Sequence, residues 1–538
     1  MTMSIAAAIF AAASCDLLGD VIEDFKENIT SGLPDNSEED GSGTADQESK
    51  EPVPGEFVIL FTNDFHSQIE PLSKEETYNA DRGGIKRIKA LVDSVRAAEP
   101  VVLLADAGDL VQGTYYFSLL NGVVEMMILD ELGYDVRTLG NHEFDKKMTG
   151  LGDMLAMSKV PVVATNYDFS TTALASQVNR SVILDAGTVK VGFVGLNVRL
   201  QNLVDPTACE GVGWQDAYLV ADKEAERLRN EGADMVIALS HLGYEKDSDL
   251  YYQDRGFVKR SRHIDMVIGG HSHTFLNYAD YVNDLDGDRV PVVQTGSKGI
   301  CLGYAKVRLD DKGKPSFTYR LIPVKNHLDN KLDPAFSSRI DEYTEAVGDK
   351  MNEVLGYCPR AIRKSGDLQS PLGNLTADGL IWIAKEEFGI DADVSIYNTG
   401  GMRAEFSQGD MTLGDVYAVY PFDNLISVVT VKGRDLRELF DAAATGLPIN
   451  SSVRLVLDSN RRVRSVTIDG KPVDDDKTYT VATTDYLINT GRYGLADPMT
   501  ENYTAGYMRD YFGEYFRHLA SENGGQITAV TDDRIRIE

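Results

Sequence analysis

Five times along this chain a short apolar run stops and a residue of metal-ligand type follows at once. FVILFT is followed by Asn63-Asp64-Phe65-His66, VVLLADA by Gly108-Asp109, and VRTL by Gly140-Asn141-His142-Glu143-Phe144-Asp145. MVIAL leads into Ser240-His241, and MVIGG into His271-Ser272-His273. Runs this short and this apolar suit strands buried on both faces. Several are separated by helix-like stretches such as GGIKRIKALVDSVRAAE and DAYLVADKEAERLRNEG. The pattern predicts an α/β layered sheet. In open α/β sheets the loops beyond the carboxyl ends of the strands converge in one crevice. That crevice would gather Asp64, His66, Asp109, Asn141, His241, His271 and His273. The chain has 8 histidines, and only His263, His327 and His518 lie outside these blocks. A lone histidine is more often a surface group or a satisfied core imidazole. Recurrence at one strand end after another is not explained that way.

Composition narrows the partners. A chain of 538 residues exceeds what one core usually holds, so two or more domains are expected. Hydrophobic residues at 43% and charged residues at 25% are those of a soluble globular protein. A formal net charge of −31, from 84 acidic against 53 basic residues, argues against a nucleic-acid polymer or an anionic membrane surface as partner. A small anionic ligand then needs a metal, or local Arg and Lys, to reverse the potential.

The N-terminus reads separately. IAAAIFAAASC, residues 5–15, is too short to span a bilayer and has the look of a signal-peptide apolar region. Its end, Ala12-Ala13-Ser14-Cys15, resembles a bacterial lipoprotein processing site, although no Lys or Arg precedes the run and Ala12 stands where Leu is usual. A short helix on the fold is the alternative. We take residues 1–15 as a signal peptide with a possible lipid anchor at Cys15, and expect export to the bacterial cell envelope. Residues 16–55 are rich in Gly, Ser, Pro and acid and read as a disordered linker. Cys209, Cys301 and Cys358 are odd in number at no metal-like spacing, so no disulfide framework follows.

Further along, residues 303–324 read as a closing hairpin and residues 333–356 as a helix of clear periodicity. The expected organisation is a catalytic domain over 56–330, a connecting helix over 331–356 and a second domain over 357–538. In the last, GNLTADGLIWIAKEEFG reads as a helix and ADVSIYN as a strand. LISVVTVKGRDLRELFDAAA reads as strand then helix, and VRLVLDSNRRVRSVTIDGKPV as a hairpin.

TNDFH, GDLVQG, GNHEFD, SHLG and GGHSHT, in this order, resemble the five blocks of the calcineurin-like metallophosphoesterases. YNTGGMR and YPFDN resemble the N-x-G-G-x-R and P-F-x-N blocks of the two-domain 5'-nucleotidase family, which includes UDP-sugar hydrolases and 2',3'-cyclic phosphodiesterases. The resemblance covers most of the chain from Phe57 to Glu538. It implies an α/β fold of two parts, a four-layer metallophosphoesterase sandwich and a C-terminal 5'-nucleotidase domain. It also implies two divalent metal ions (zinc, manganese or iron) bridged by Asp109. Asp64, His66 and His273 would complete one metal site, and Asn141, His241 and His271 the other. His142 and Asp145 match the catalytic dyad, the ring acting on the phosphate or the leaving oxygen and the carboxylate orienting it. The implied reaction is hydrolysis, with water activated at the metal pair attacking phosphorus in line. Asn398 would meet the base, Arg403 the phosphate or ribose, and Phe422 would stack on the base, with Asn424 closing that block.

Two positions depart from the family pattern. Leu368 stands where an Arg usually clamps phosphate, and Gly491-Arg492-Tyr493-Gly494-Leu495 replaces G-G-D-G-F, whose Phe is the second wall of the base site. Arg363 and Tyr493 are the candidate substitutes. The expected function is therefore an exported phosphoesterase acting on nucleotides with poor base discrimination. The alternatives are the same hydrolase acting on cyclic nucleotides, nucleotide sugars or a non-nucleotide phosphoester. A catalytically inactive binding protein is disfavoured, because every motif position is filled.

Overall fold

A computed structural model describes residues 51–538 apart from 75–78, 202, 247–249 and 496–497. The expected signal peptide, Cys15 and most of the linker lie outside the described residues. The last linker residue, Gly55, is already tied to the fold, its N–H donating to Thr188 Oγ1 at 2.9 Å and its carbonyl accepting from Leu309 N at 2.9 Å.

The strand Glu56–Thr62 is buried from Phe57 onward. Side chains alternate along a strand, so Phe57, Ile59 and Phe61 enter one core while their neighbours face the other way. Glu56–Thr62 lies between Cys301–Leu309, antiparallel, and Val102–Asp106, parallel. Val136–Thr138, Val162–Val163 and Val178–Asn179 continue the sheet on one side, and Pro315–Pro323 closes it on the other. The expected hairpin is thus present as Cys301–Leu309 and Pro315–Pro323, antiparallel and at the sheet edge.

A second, six-stranded sheet runs in the order Asp280–Asn283, Arg289–Val293, Met266–Gly269, Met235–His241, Val189–Asn197, Ser181–Ala186. The two sheets share a core in which Phe61, Leu103 and Val136 meet Val191, Phe193, Ile237 and Ile268. They approach closely at Gly195, where a Cβ would stand 2.0 Å from the Val163 carbonyl oxygen. Helices cover the outsides. Ala217–Asn230 buries Ala217, Ala221, Ala225 and Leu228, one stripe at helical spacing, against Val194, Val236 and Val267. Ile85–Ala98 buries Ile85, Ile88, Val92 and Val95 by the same rule. Helix, sheet, sheet and helix give four layers.

The helix Pro334–Met351 begins with Asp333 as its cap, accepting from Phe336 N at 2.9 Å, and Pro334 in its first turn. It lies on the first half of the chain through the Lys86–Asp341 and Arg339–Glu131 ion pairs and a 2.7 Å contact between Thr344 Oγ1 and the Tyr116 hydroxyl. The chain then enters a second body through Val354–Cys358, paired with Gly409–Thr412. There a four-stranded sheet orders Val394–Ser395, Thr478–Thr484, Leu425–Lys432 and Thr500–Tyr507. Ile426 and Val428 pack toward the helices Pro371–Phe388 and Met508–Glu522. Val429 and Val431 pack toward the helix Leu436–Ala443 and the hairpin Val453–Leu457 with Val463–Ile468. The ADVSIYN run is laddered only at Val394–Ser395. Among the described residues no helix is long and apolar enough to cross a membrane.

Candidate active site

Each ligand-type residue sits at the end of a strand or a short way past it, and the loops that carry them are laced together. Asp64 N donates to Gly108 O at 2.9 Å, His66 N to Asp109 O at 3.0 Å and Ser67 N to Leu110 O at 2.9 Å. Asp64 (φ 49°), His66 (φ 53°), Asp109 (φ 54°), His271 (φ 73°) and His273 (φ 53°) all hold the left-handed conformation. For a residue with a Cβ this costs roughly 1–2 kcal/mol. Strain of this kind persists where the surrounding bonds over-determine it and a functional geometry is the return. Between these loops Gly108 has no room for a side chain, since a Cβ would stand 2.6 Å from Gly140 N.

Three sets of ligand atoms each lie within 4.8 Å of one another: Asp64, His66 and His273; His66, Asp109 and His142; and Asp109, His241 and His271. His241 Nε2 is 3.1 Å from Asp109 Oδ2, His273 Nε2 is 3.4 Å from Asp64 Oδ1, and the Nε2 atoms of His66 and His273 are 2.9 Å apart. The far nitrogens are occupied. His66 Nδ1 faces the Gln112 carbonyl at 3.1 Å and His241 Nδ1 the Ala107 carbonyl at 2.8 Å. With Nδ1–H donating there, each Nε2 points inward, where its lone pair is available to a proton or to a metal. Asp64 is oriented by Asn63 Nδ2 at 2.6 Å and by His271 N at 3.0 Å.

These residues fit divalent cations on two observations. Asn141 Oδ1 is buried and has no hydrogen-bond partner; a bare buried acceptor costs about 1–3 kcal/mol unless a cation or donor meets it. The site also has the potential of a cation binder. Burial works against a charge on His241, yet the Asp109 and Asp64 carboxylates outweigh it and push the imidazole up to about 10. Mixed imidazole and carboxylate donors suit transition metals of the zinc, manganese and iron group.

His142 stands beside this cluster. Its Nδ1 meets Asp145 Oδ2 at 2.9 Å across one turn of 3-10 helix, and its Nε2 is 4.0 Å from Asp109 Oδ2. Burial again opposes its charge, and Asp145 and Asp109 prevail, so its pKa is raised above that of free imidazole. A cavity of about 910 Å³ opens over Asp109, Asn141, His142 and Asp145 and is walled on the other side by Asn398, Arg403, Phe422 and Asn424. The Phe422 ring is 5.7 Å from the His142 ring, and Arg403 Cζ is 6.0 Å from the Phe422 centroid.

With this geometry in view, the comparisons with known proteins are direct. Residues 57–275 match the calcineurin-like phosphoesterase family and residues 347–499 match the C-terminal domain of 5'-nucleotidases. The 5'-nucleotidase of Rattus norvegicus is 30% identical over 488 residues, which cover 81% of this chain and 83% of the rat protein. The chain belongs to the 5'-nucleotidase family. The snake venom 5'-nucleotidase of Naja atra is 27% identical, covering 86% of this chain and 96% of that protein. The crystal structure of a 5'-nucleotidase precursor from Thermus thermophilus superposes with a TM-score of 0.78 at 27% identity, over 90% of this chain and 99% of that one. This member of the family is a metal-dependent phosphoester hydrolase of two-domain α/β fold.

Against that background the nucleotidase site differs from expectation in three places. Tyr493, proposed from sequence as a base wall, does not line the cavity; it takes φ 61° and packs, half-buried, on the core of the second body. Leu495 is fully inside that core, and Leu368 packs on it too, so neither is an impoverished cavity wall. Arg363 pairs with Glu405 at 2.9 Å and does not line the cavity. Two aromatic residues that sequence reasoning missed line the cavity, Tyr486 just past the strand Thr478–Thr484 and Tyr507 at the end of Thr500–Tyr507. The signal for Tyr486 was the one used elsewhere, a polar-tipped side chain just past a strand.

Glu143 was also missed. Fully buried, its carboxylate accepts from Gly140 N at 2.6 Å, Leu110 N at 3.0 Å and Asp109 N at 3.2 Å, joining the two loops that carry Asp109, Asn141 and His142. A carboxylate that takes backbone donors from a distant loop leaves no periodic trace in sequence.

Proposed function

We propose that this chain is an exported nucleotidase that works with two divalent cations and hydrolyses nucleotide phosphoesters. Asp109 would bridge the cations, with Asp64, His66 and His273 on one and Asn141, His241 and His271 on the other. The observation that carries the reading is the bare, buried Asn141 Oδ1 beside imidazoles whose Nε2 atoms point inward. When bound, the cation pair supplies Lewis acidity at phosphorus and an activated water.

The remaining work falls to the side chains. Asp145 fixes the His142 ring and favours its protonated form, so Nε2 has a proton for the leaving oxygen. Arg403 brings a positive charge toward the phosphoryl group from the other half of the chain. Phe422 offers a flat apolar face on which a nucleobase stacks, and Tyr486 and Tyr507 are further aromatic residues lining the cavity. Lys146 Nζ meets Asp423 at 2.5 Å, and Arg509 meets the same carboxylate at 2.5 Å while binding the Phe422 carbonyl at 2.8 Å, which holds the Phe422 segment against the dyad. Export rests on the N-terminal apolar run ending at Cys15; mass spectrometry of the mature N-terminus tests it. The function itself is tested on a panel with manganese, zinc or magnesium added, reading phosphate release from nucleoside monophosphates and aryl phosphates and chromatography of the products from cyclic nucleotides and nucleotide sugars. Phosphate release from AMP supports the reading. Metal-replete protein that hydrolyses none of them contradicts it.

A further inference from the structure

Among the described residues, three carboxylates outside the ligand cluster and the dyad line the cavity: Asp205, Asp423 and Asp485. Two of them are already engaged. Asp423 is held by Lys146 and Arg509 at 2.5 Å each. Asp205 Oδ1 accepts from Thr207 N and Thr207 Oγ1 at 2.8 Å each, and its Oδ2 from Asn489 Nδ2 at 2.6 Å. Asp485 differs. Its Oδ1 accepts from Leu425 N at 3.0 Å and Tyr486 N at 2.9 Å, which fixes the carboxylate in place. Its Oδ2 takes no hydrogen bond among the described residues and is left to the cavity.

The fixed carboxylate stands among the cavity's aromatic residues. Leu425, its hydrogen-bond partner, lies three residues past Phe422 and is paired across the sheet with Tyr507. Tyr486 follows it directly in the chain. A flat ring stacked on Phe422 therefore has its edge beside an acceptor. Burial and the Asp205 charge push the Asp485 carboxyl up to about 6, against its two backbone donors and Lys147, so it is ionised above about pH 7. An ionised carboxylate accepts and cannot donate. A ring edge bearing N–H groups gains a charge-assisted bond there, and an oxo group in the same place meets only repulsion. Lys147 would favour the oxo group, but it is exposed while Asp485 is half-buried, so its charge is the more screened of the two.

Building on the nucleotidase reading, we propose that Asp485 is a specificity-determining residue whose free Oδ2 accepts from the exocyclic amino group of the nucleobase, so that adenine and cytosine are chosen over hypoxanthine and uracil. The poor base discrimination expected from sequence rested on Leu368 and Leu495, which belong to the core of the second body. Discrimination passes to Asp485 instead.

AMP and IMP carry an amino and an oxo group at the same ring carbon, as do CMP and UMP, so the ratio of kcat/KM within each pair reads the base edge while the phosphate chemistry cancels. On the metal-loaded full chain at about pH 8, where the carboxyl is ionised, we expect AMP to exceed IMP by about 10-fold, with CMP over UMP in the same direction. Asp485→Asn keeps an oxygen for the Leu425 and Tyr486 N–H groups and turns an amide N–H₂ toward the base. The ratio should then fall to unity or invert, a change that a merely structural role would not produce. Asp205→Asn should leave the ratio as it is. Equal use of AMP and IMP by the unaltered protein, a preference that survives Asp485→Asn, or one that Asp205→Asn removes instead would overturn the proposal and spare the nucleotidase reading. So would an Asp485→Asn protein that loses its preference for AMP over 2',3'-dideoxy-AMP but not over IMP, since the carboxylate would then serve the sugar. Metal-bound protein that hydrolyses no nucleotide would remove both.

Discussion

Two buried histidines near carboxylates, His142 and His241, behave as opposites in the proposed mechanism. His241 turns Nε2 toward Asp109 at 3.1 Å, whereas His142 is turned by Asp145 and sits 4.0 Å from Asp109 Oδ2. His241→Ala should lower bound metal as well as activity. His142→Ala should leave metal content near that of the unaltered protein while turnover drops by roughly 100-fold or more. Elemental analysis beside AMP turnover checks both, and equal loss of metal in the two variants would mean the roles are misassigned. Glu125 is a second buried residue with a measurable consequence. Both its oxygens are sealed from water without a hydrogen bond, and burial pushes the carboxyl up to about 6. The folded state thus holds this proton more tightly than the unfolded chain does. That contribution to stability is complete below about pH 4 and is lost as pH rises through about 6. Glu125→Gln does not titrate, so its stability relative to the unaltered protein should rise by about 2 kcal/mol between about pH 4 and about pH 8. Urea unfolding at both pH values measures it, and a pH-independent difference would contradict the assignment.

Between elements, the strand-end rule made the ligand loops legible. Asp64, His66, Asp109, His241, His271 and His273 each follow an apolar run that forms a strand, and those strands alternate with amphipathic helices whose stripes are plain in the sequence. Sheet order was not legible. Cys301–Leu309 is hydrogen-bonded beside Glu56–Thr62 across most of the first half of the chain, and no local pattern encodes such a neighbour. Glu143 escaped for the same reason, since its partners Asp109 N and Leu110 N come from another loop. Its carboxylate aligns that loop with the one bearing Asn141. Glu143→Gln presents an amide N–H₂ to backbone donors, so metal affinity should fall by roughly 10- to 100-fold, the usual cost of losing a ligand-orienting partner. Metal titration followed by recovery of turnover at saturating metal reads this out. An unchanged affinity would reduce Glu143 to a core residue.

At the scale of the whole molecule, the first half supplies the clustered Asp and His side chains and the His142–Asp145 pair, and the second supplies Arg403, Phe422 and Tyr486 to one cavity. Lys146–Asp423 ties the halves on one side, and Asn489 Nδ2 with Asp205 Oδ2 at 2.6 Å ties them on another. The G-R-Y-G-L run misled because motif position was read as cavity position. Gly494 turns with φ 74° and carries Leu495 inward to the core. Leu495→Phe should therefore not improve nucleotide binding but overpack that core, at about 1–3 kcal/mol of stability. Phe422→Ala should raise KM for AMP by roughly 5- to 100-fold through loss of base stacking, and less for p-nitrophenyl phosphate. Steady-state kinetics with thermal unfolding separate these outcomes, and a lower KM for AMP in Leu495→Phe would restore that residue to the cavity.

The claim on which the rest depends is that Asp109 joins two cations. Asp109 lies in two of the three ligand clusters and within 3.1 Å of His241 Nε2. Metal per chain, counted by elemental analysis on the unaltered protein and on Asp109→Ala with AMP turnover measured on the same samples, addresses it directly. The account predicts about two divalent ions per chain falling toward one or none, with turnover lost and the circular-dichroism spectrum retained. An Asp109→Ala protein that keeps its full metal complement and still hydrolyses AMP would contradict it.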